Sequence, residues 1–307
     1  MKPLLTWIMQ GRMQAILATL LTACAALILS PMLIASASII TLATQRNGIQ
    51  EGLWVLLTSL LGLALLSSLL SVSLWTWLLP VSWLWLSALG SGWLLRHRRS
   101  LAGTLEAAMI GAWLLVGLQF LILDAPVEFW RGLISDLLQA QLDVLWPEAG
   151  QQQALVHALA AWMPGAIAAS WFILNSSALL LALWAEATLR DTHDFARAFQ
   201  TLRFSRSWLI MAPLLLIPAL LSEETSAGLP SQLYLVMTVM FVLQALSLCH
   251  YLVRYFQARR FWLTGTYVLL ILGMPFSLNI ASLAGYLDGW WDFRARLQHP
   301  KDGHNDR

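Results

Sequence analysis

Residues 53–70 read LWVLLTSLLGLALLSSLL, and the chain stays uncharged from there to Leu95. A helix needs about 20 predominantly apolar residues to cross the hydrocarbon core of a bilayer. The uncharged stretch is about twice that length, so it predicts two crossing helices joined by a turn. The polar segment TQRNGIQEG at 44–52 precedes it, and we interpret this segment as a loop between two crossings.

The turn inside the uncharged stretch is predicted at Pro80, in the segment SLWTWLLPVSWLWLS. Four tryptophans bunch around this proline, at positions 75, 77, 83 and 85. Tryptophan side chains collect at the headgroup level of a membrane, which favours a tight hairpin turn at one interface. The alternative is a tryptophan-rich patch buried within the bundle.

Composition extends the membrane interpretation to the whole chain. Of its 307 residues, 59% are hydrophobic and only 11% are charged, whereas ordinary soluble domains carry about 25% charged residues. This composition indicates a polytopic membrane protein, whose first partner is the lipid bilayer. A formal net charge of +2 is too small to indicate a nucleic-acid partner.

Apolar runs predict an all-α, polytopic transmembrane helix bundle of about 8–9 membrane segments. The predicted helices lie near 13–30, 52–72, 79–95, 104–123, 155–187, 207–222, 230–253 and 262–287. Segment 155–187 is longer than one span needs, so its first part, around Pro164, is expected at the interface. Segment 32–44 is short for a straight span. It is a crossing stretched by its flanks, a re-entrant segment, or the second half of a helix broken at Pro31.

We predict a single transmembrane domain over 1–290 and a polar C-terminal tail over 291–307. No Gly/Ser-rich or Pro-rich linker divides the chain. The N-terminal segment resembles a signal peptide, with Lys2 and Arg12 before an apolar run. More apolar sequence follows at once, so we interpret this segment as the first transmembrane helix.

The segment VEFWRGLISDLLQAQLDVLW, residues 127–146, has a different pattern. Its apolar residues recur at helical spacing, and polar residues occupy the rest of the helical wheel. This pattern predicts an amphipathic helix lying flat on the outer membrane surface, with Trp130 and Trp146 as anchors. As an alternative, the helix is a lid over a cavity that opens outward.

Basic residues orient the predicted bundle. Arginines cluster at 96–99, 190–206 and 254–260, whereas acidic residues prevail at 124–151 and 223–229. The positive-inside rule places the arginine clusters in the cytoplasm, and we expect a multi-pass protein of the bacterial inner membrane. One more span after 254–260 would place the C-terminal tail outside.

Polar side chains inside apolar segments are functional candidates, because they are costly in a bilayer. Candidates near predicted helix ends, for which a solvated or interfacial role is favoured, are Glu106, Asp124, Glu186, Asp288 and His250. The candidates for the lining of a solute site are Gln119, Asn175, Gln244, Asn279, Asp288 and Arg294. Asn175 and Asn279 lie deeper in their segments, where an amide normally bonds a neighbouring helix.

The segment LDGWWDFRAR at 287–296 allows two hypotheses. If the last helix continues past Gly289, Asp292 and Arg296 have the favourable spacing for a local ion pair, and the segment is an interfacial anchor. In the second hypothesis, Asp288 or Arg294 turns inward and closes one end of the bundle against a polar group of another helix.

No enzyme motif is found, and the sequence predicts a protein without catalytic residues, cofactor or metal. Cys24 and Cys249 both lie in apolar segments and are expected to be small apolar packing residues. Small residues recur at helical spacing in the first helix, as Ala15, Thr19 and Ala23 and as Ala18, Thr22 and Ala26. Such strips permit close helix contact, either within the fold or with another membrane subunit.

Two stretches, TLATQRNGIQEG at 41–52 and LAGYLDGWWDFRAR at 283–296, resemble the YybS-like family of uncharacterised bacterial membrane proteins. That family is distantly similar to the S components of energy-coupling factor transporters. The resemblance implies a small-solute-binding bundle that docks on a partner membrane subunit through strips in its first helix. The function expected from it is a transport-related subunit. The alternatives are a structural or regulatory membrane protein without solute binding and an intramembrane enzyme.

Overall fold

The computed structural model describes residues 1–69, 74–145, 149–221, 227–259 and 261–298. All regular secondary structure in these ranges is helical. The fourteen helices are α1 (Lys2–Ile8), α2 (Arg12–Ala25), α3 (Met32–Asn47), α4 (Ile49–Leu69), α5 (Leu74–Arg98), α6 (Leu101–Ile122), α7 (Pro126–Leu145), α8 (Ala149–Arg190), α9 (Asp194–Gln200), α10 (Arg206–Leu221), α11 (Leu229–Tyr255), α12 (Phe261–Leu272), α13 (Phe276–Trp291) and α14 (Phe293–Gln298).

Five of these helices are long and apolar enough to cross a membrane: α4, α5, α6, α8 and α11. The all-α fold is therefore confirmed, and the protein is membrane-embedded. Three further apolar helices, α2, α10 and α12, have 14, 16 and 12 residues and fall short of a straight span. The count of 8–9 membrane segments stays a prediction.

Cα packing divides the chain into two compact units. Unit 1 comprises Met1–Ala108 and Trp171–Phe199, and unit 2 comprises Met109–Ser170 and Gln200–Arg307. Helices α6 and α8 each contribute residues to both units. Whether residues 1–290 act as a single domain stays a prediction. The predicted polar tail contains helix α14, and its residues 299–307 lie outside the described part of the chain.

Helix α3 forms the centre of unit 1, where it packs against α2, α4 and α5. All nine residues from 36 to 44 are buried. Small residues allow this packing: Thr41 donates a hydrogen bond to the Ala88 carbonyl of α5 at 3.1 Å, and a Cβ on Gly92 would stand 2.6 Å from the Thr41 carbonyl oxygen. Helix α2 lies beside α3 rather than in line with it, so α3 is not the continuation of a helix broken at Pro31.

The small-residue strips of α2 are turned into unit 1. Ala15, Thr19 and Ala23 of the first strip are all buried, as are Ala18 and Ala26 of the second. Contacts of α2 with α3 and α4 cover them. The structure therefore shows these strips in contact with other helices of the same chain, which was one of the two alternatives.

The turn predicted at Pro80 is wrong, because α5 begins at Leu74 and Pro80 lies inside it. The described part of α4 ends at Leu69, and residues 70–73 lie outside the description. Trp85 is fully buried and donates its Nε1 hydrogen to Ser36 Oγ at 3.0 Å. Trp83 is exposed, so burial is shown for Trp85 alone and not for a tryptophan patch, and the side chains at 75 and 77 lie outside the description.

The predicted helix at 127–146 corresponds to α7. Within unit 2, Ile134 packs on Val156 and Ala160 of α8, whereas Leu133 and Leu137 are exposed. The outer face of α7 is thus available to lipid, although its position in the membrane plane stays a prediction. The side chain of Trp146 lies outside the description. Helix α8 continues unbroken through Pro164 over 42 residues, about 60 Å at 1.5 Å per residue, so its length exceeds one crossing as expected.

The prediction of a single helix at 262–287 is wrong, because the helix is interrupted between Leu272 and Phe276. Pro275 lacks an amide hydrogen and disfavours helical geometry in the residue before it. After the break, α13 runs parallel to α11: Gly285 lies against Phe241, Asp288 is bonded to Gln244, and residues of α14 reach the end of α11.

The parallel course of α13 places α14 at the same end of unit 2 as the end of α11. Tyr255, the last residue of α11, donates a hydrogen bond to the Leu297 carbonyl at 2.8 Å. Helix α12 leads away from the end of α11, and α13 leads back to it. Residues 293–298 therefore lie at the same end of unit 2 as Tyr255. For the described residues of the tail, the expectation that they lie opposite Arg254 is wrong, because its parity count treated 262–287 as one crossing.

Candidate functional site

A buried ion pair joins α13 and α14 in unit 2. Asp288 is fully buried and Arg294 is 6% exposed, with Arg294 Nη2 3.4 Å from Asp288 Oδ2. Helix α13 ends at Trp291, and the next residue, Asp292, has a left-handed φ of 46°, so the chain turns and α14 returns Arg294 to unit 2. The solvated role favoured for Asp288 is therefore wrong. The structure shows the second hypothesis for this segment, and both Asp288 and Arg294 are turned inward.

The pair is held by groups from two other segments, α11 and the connection between α9 and α10. Gln244 of α11 donates to Asp288 Oδ2 at 3.2 Å and accepts from the Phe204 amide at 3.2 Å. Arg294 donates to the Leu202 carbonyl at 2.8 Å and to Ser247 Oγ at 3.0 Å. Burial lowers the pKa of the Arg294 guanidinium, and the Asp288 carboxylate opposes that shift.

A second ion pair covers the first. Asp292 pairs with Arg203, which also donates to the Gly289 carbonyl at 3.2 Å. The favoured local pairing of Asp292 with Arg296 is therefore replaced by a long-range one. Gln244, Asp288 and Arg294 thus bond one another and neighbouring groups of unit 2. Their role in the lining of a solute site stays a prediction.

Gln119 and Asn175 also serve helix packing. Gln119 donates to the Pro164 carbonyl at 3.1 Å and accepts from Trp130 Nε1 at 3.0 Å, so it ties α6 to α7 and α8 within unit 2. Asn175 bonds Ser87 and Ser91 of α5 at 3.2 Å within unit 1. Each amide joins neighbouring helices, as expected for a deep asparagine or glutamine.

Asn279 was expected deep in its segment, but it is exposed and donates to the Pro275 carbonyl at 3.4 Å rather than to a neighbouring helix. It borders a cavity. This cavity of about 220 Å³ lies in unit 2 among α10, α11 and α13. Its polar lining is formed by Tyr234, Thr238, Asn279, Ser282 and Tyr286. Apolar side chains complete the walls, so the site offers hydroxyl and amide groups on an otherwise apolar surface.

A larger cavity of about 620 Å³ in unit 1 was missed by the sequence reasoning. It lies where α3, α5 and α8 end, and its lining includes Arg46, Arg96, Arg99, Glu186 and Arg190. Glu186 was expected to be solvated near a helix end, but it is 6% exposed and pairs with Arg190 and Arg46. The signal that was missed is Glu186, a carboxylate one helical turn before Arg190. The sequence does not show that Glu186 shares a cavity with Arg46 and Arg96, because these residues lie in three separate segments.

Gln232 of α11 is a second buried residue that the sequence reasoning missed. Its side chain donates to the Ala161 carbonyl and accepts from the Gly165 amide, both at 2.6 Å. Pro164 lies between these two groups and interrupts the hydrogen bonding of α8. Gln232 therefore bridges the backbone of α8 at this proline. A glutamine near the start of the apolar run 230–253 was the available signal.

The other polar candidates do not form a site. Asp124 is exposed and Glu106 is half-buried, and the His250 ring lies 3.0 Å from the Tyr267 hydroxyl. Cys24 and Cys249 are half-buried free thiols. Among the described residues, no group of three or more His, Cys, Asp or Glu side chains could hold a metal ion.

Comparisons with protein-family models, with curated proteins and with solved structures find no match to this chain.

Proposed function

We propose that this chain is a multi-pass protein of a bacterial inner membrane and acts as a transport-related subunit that binds a small solute in the cavity of unit 2. The arginine clusters at 96–99, 190–206 and 254–260 would face the cytoplasm. The observation that supports solute binding is the cavity among α10, α11 and α13, bordered by Asn279.

The chemistry of this cavity selects the kind of solute. Ligand sites are concave, mostly apolar and provided with a few polar groups that orient the ligand. Here Tyr234, Thr238 and Asn279 offer hydroxyl and amide groups beside Phe241 and Leu283. The volume of about 220 Å³ suits a compact, uncharged molecule with one or two hydrogen-bonding groups.

The interruption between α12 and α13 also supports a site at this place. Asn279 lies in the first turn of α13, just after Pro275. Broken helices in transporters supply backbone groups to substrate sites within the membrane. A break beside a cavity therefore favours a binding role over a purely mechanical one.

A second candidate function is a structural or regulatory membrane protein without solute binding. It is favoured by the internal bonding of Gln119, Asn175, Gln244, Asp288 and Arg294. Under this candidate, the cavity would be a packing defect that no solute occupies.

The two candidates are separated by a thermal-stability screen of small neutral solutes on the purified protein in detergent. We expect at least one solute to raise the unfolding temperature. Tyr234→Phe, which removes one lining hydroxyl, should weaken its binding by about 3–10-fold, the value of one hydrogen bond. Tyr267→Phe is the matched control, because Tyr267 lies outside the cavity, and it should bind the solute as the wild type does. Failure of every solute, or equal loss in both variants, would favour the structural role.

A further inference from the structure

The solute cavity of unit 2 contains hydroxyl groups that a ligand can reach. Tyr234 of α11 and Ser282 and Tyr286 of α13 line it, and their hydroxyl groups have no hydrogen-bond partner among the described residues. Ser282 is 6% exposed, yet its oxygen is not among the unpaired atoms that are closed to solvent. The cavity thus offers three accessible hydroxyl groups that the protein itself does not satisfy.

The other polar groups of the lining already use hydrogens within the protein. Thr238 donates its hydroxyl hydrogen to the Leu235 carbonyl at 2.6 Å, and the Asn279 amide donates to the Pro275 carbonyl at 3.4 Å. A ligand that brought only donors would leave the three free hydroxyl hydrogens unpaired, which is costly in apolar surroundings. A ligand that fits this cavity therefore supplies acceptor atoms.

The charge of the lining selects the kind of acceptor. Every lining residue that the structure describes is uncharged. A carboxylate or a phosphate would enter as an unpaired charge, and its burial costs far more than burial of a neutral group. A carbonyl oxygen is neutral, has two acceptor lone pairs and carries no hydrogen of its own. Carbonyl groups therefore match the unpaired hydroxyl donors.

The walls of the cavity favour a flat ring. Phe241 and Tyr286 pack edge to face with their ring centroids 5.4 Å apart, and α10 contributes the apolar residues Ala212, Pro213 and Leu216. Aromatic walls of this kind bind rings by stacked and edge-to-face contacts. The volume of about 220 Å³ lies below the range of about 300–1,000 Å³ for drug-sized ligands, so the cavity holds one ring and no long chain.

The mouth of the cavity opens on an apolar surface. Asn279 and Leu283 line the cavity and are exposed, so they lie at its mouth. Ile280, Leu214 and Ile217, each of which follows a lining residue in the sequence, are exposed and apolar. In a membrane-embedded protein such a surface faces lipid. A ligand therefore enters from the hydrocarbon phase, and a chain attached to its ring can stay in the lipid.

We infer that the solute of the unit 2 cavity is a lipophilic ring compound with carbonyl acceptors, of the kind found in the headgroup of a membrane quinone. Ser282 and the two tyrosines donate to its carbonyl oxygens, and because the donors lie on both α11 and α13, they serve two carbonyl groups of one ring. This inference rests on the proposed solute binding and names the chemical class of that solute.

Four probes test this class on the purified full-length protein in detergent. Duroquinone carries two carbonyl groups on a methylated ring, durene is the same methylated ring without them, and durohydroquinone, kept reduced under anaerobic conditions, has hydroxyl groups in their place. The fourth probe is a duroquinone analogue in which a long alkyl chain replaces one methyl group. Apparent affinities are obtained from the rise in unfolding temperature with the mole fraction of probe in the detergent.

We expect duroquinone to bind about tenfold or more tightly than durene, the value of two hydrogen bonds. It should also bind more tightly than durohydroquinone, because the reduced ring brings donors to a site with unpaired donors. The alkyl analogue should bind at least as tightly as duroquinone, because its chain lies in the detergent at the mouth.

Two variants test the assigned donors. Ser282→Ala should weaken duroquinone binding by about 3–10-fold, the loss of one hydrogen bond, and leave durene binding unchanged. Tyr286→Phe keeps the ring, removes only the hydroxyl group, and should give the same result. Thr264→Val is the matched control, because it removes an exposed hydroxyl group of α12 outside the cavity, and it should bind duroquinone as the wild type does.

Equal binding of duroquinone and durene, preference for durohydroquinone, or exclusion of the alkyl analogue would each overturn the inference. Equal losses in Ser282→Ala and Thr264→Val would do the same. Failure of all four probes would also overturn it, and a response to another neutral solute would then leave the proposed solute binding intact. Failure of the probes together with every other solute would contradict both.

Discussion

Replacing Arg294 with glutamine is expected to destabilise the protein by about 3–5 kcal/mol, the cost of stranding one partner of a buried ion pair. Asp288 is fully buried, and its Oδ1 accepts no hydrogen bond in the described structure. Without Arg294, its charge would rely on Gln244 alone. The measurement is thermal unfolding of the purified variant in detergent.

The matched control is Arg131→Gln. Arg131 pairs with Glu128 on the surface of α7, where both side chains are about half exposed, and such pairs contribute about 1 kcal/mol or less. The double variant Asp288→Asn/Arg294→Gln should regain part of the lost stability, because no uncompensated charge remains. The buried ion pair would be refuted if Arg294→Gln unfolded at the same temperature as Arg131→Gln.

Adding a single methyl group at Gly285 is the second change with a large expected effect. A Cβ there would stand well inside the van der Waals distance of the Phe241 carbonyl oxygen, and close to the Ala245 amide. These are backbone atoms of α11, so neither can move aside by a change of rotamer. We expect Gly285→Ala to cost about 1–3 kcal/mol or more, as overpacking does, and to separate α13 from α11.

Gly117→Ala provides the comparison for this variant. Gly117 lies in α6, and nothing is found within 4 Å of an added Cβ. Alanine favours a helix by about 1 kcal/mol over glycine, so this variant should be as stable as the wild type or more so. Unfolding of both glycine variants at the same temperature would contradict the close contact between α11 and α13.

Composition was sufficient to predict the all-α membrane class. Only 11% of the residues are charged and 59% are hydrophobic, whereas soluble domains carry about 25% charged residues. It could not predict where an apolar run is interrupted. Pro80, Pro164 and Pro275 all lie in apolar segments, yet α5 and α8 continue through theirs and only Pro275 marks a break. Neighbouring helices decide which prolines are tolerated, and the sequence does not show those neighbours.

The candidate sites show the same limit. Hydrophobic context singled out Asn279, Asp288 and Arg294, because a polar group in an apolar segment is visible from the chain alone. Their roles depend on α11, which supplies Tyr234 to the cavity and Gln244 to the ion pair. Glu186 shows the opposite case, since its place near a helix end suggested solvent, and only the convergence of α3 and α8 buries it.

Both the ion pair and the solute cavity require that α13 runs parallel to α11, which places residues 293–298 beside Arg254. The most direct test is cysteine labelling in vesicles of known orientation, in a background where Cys24 and Cys249 are replaced by serine. Single cysteines are placed by Ala258→Cys after α11, Ala295→Cys in α14, and Ala227→Cys before α11. An impermeant maleimide should modify positions 258 and 295 from one side and position 227 from the other. Labelling of position 295 from the same side as position 227 would contradict the account.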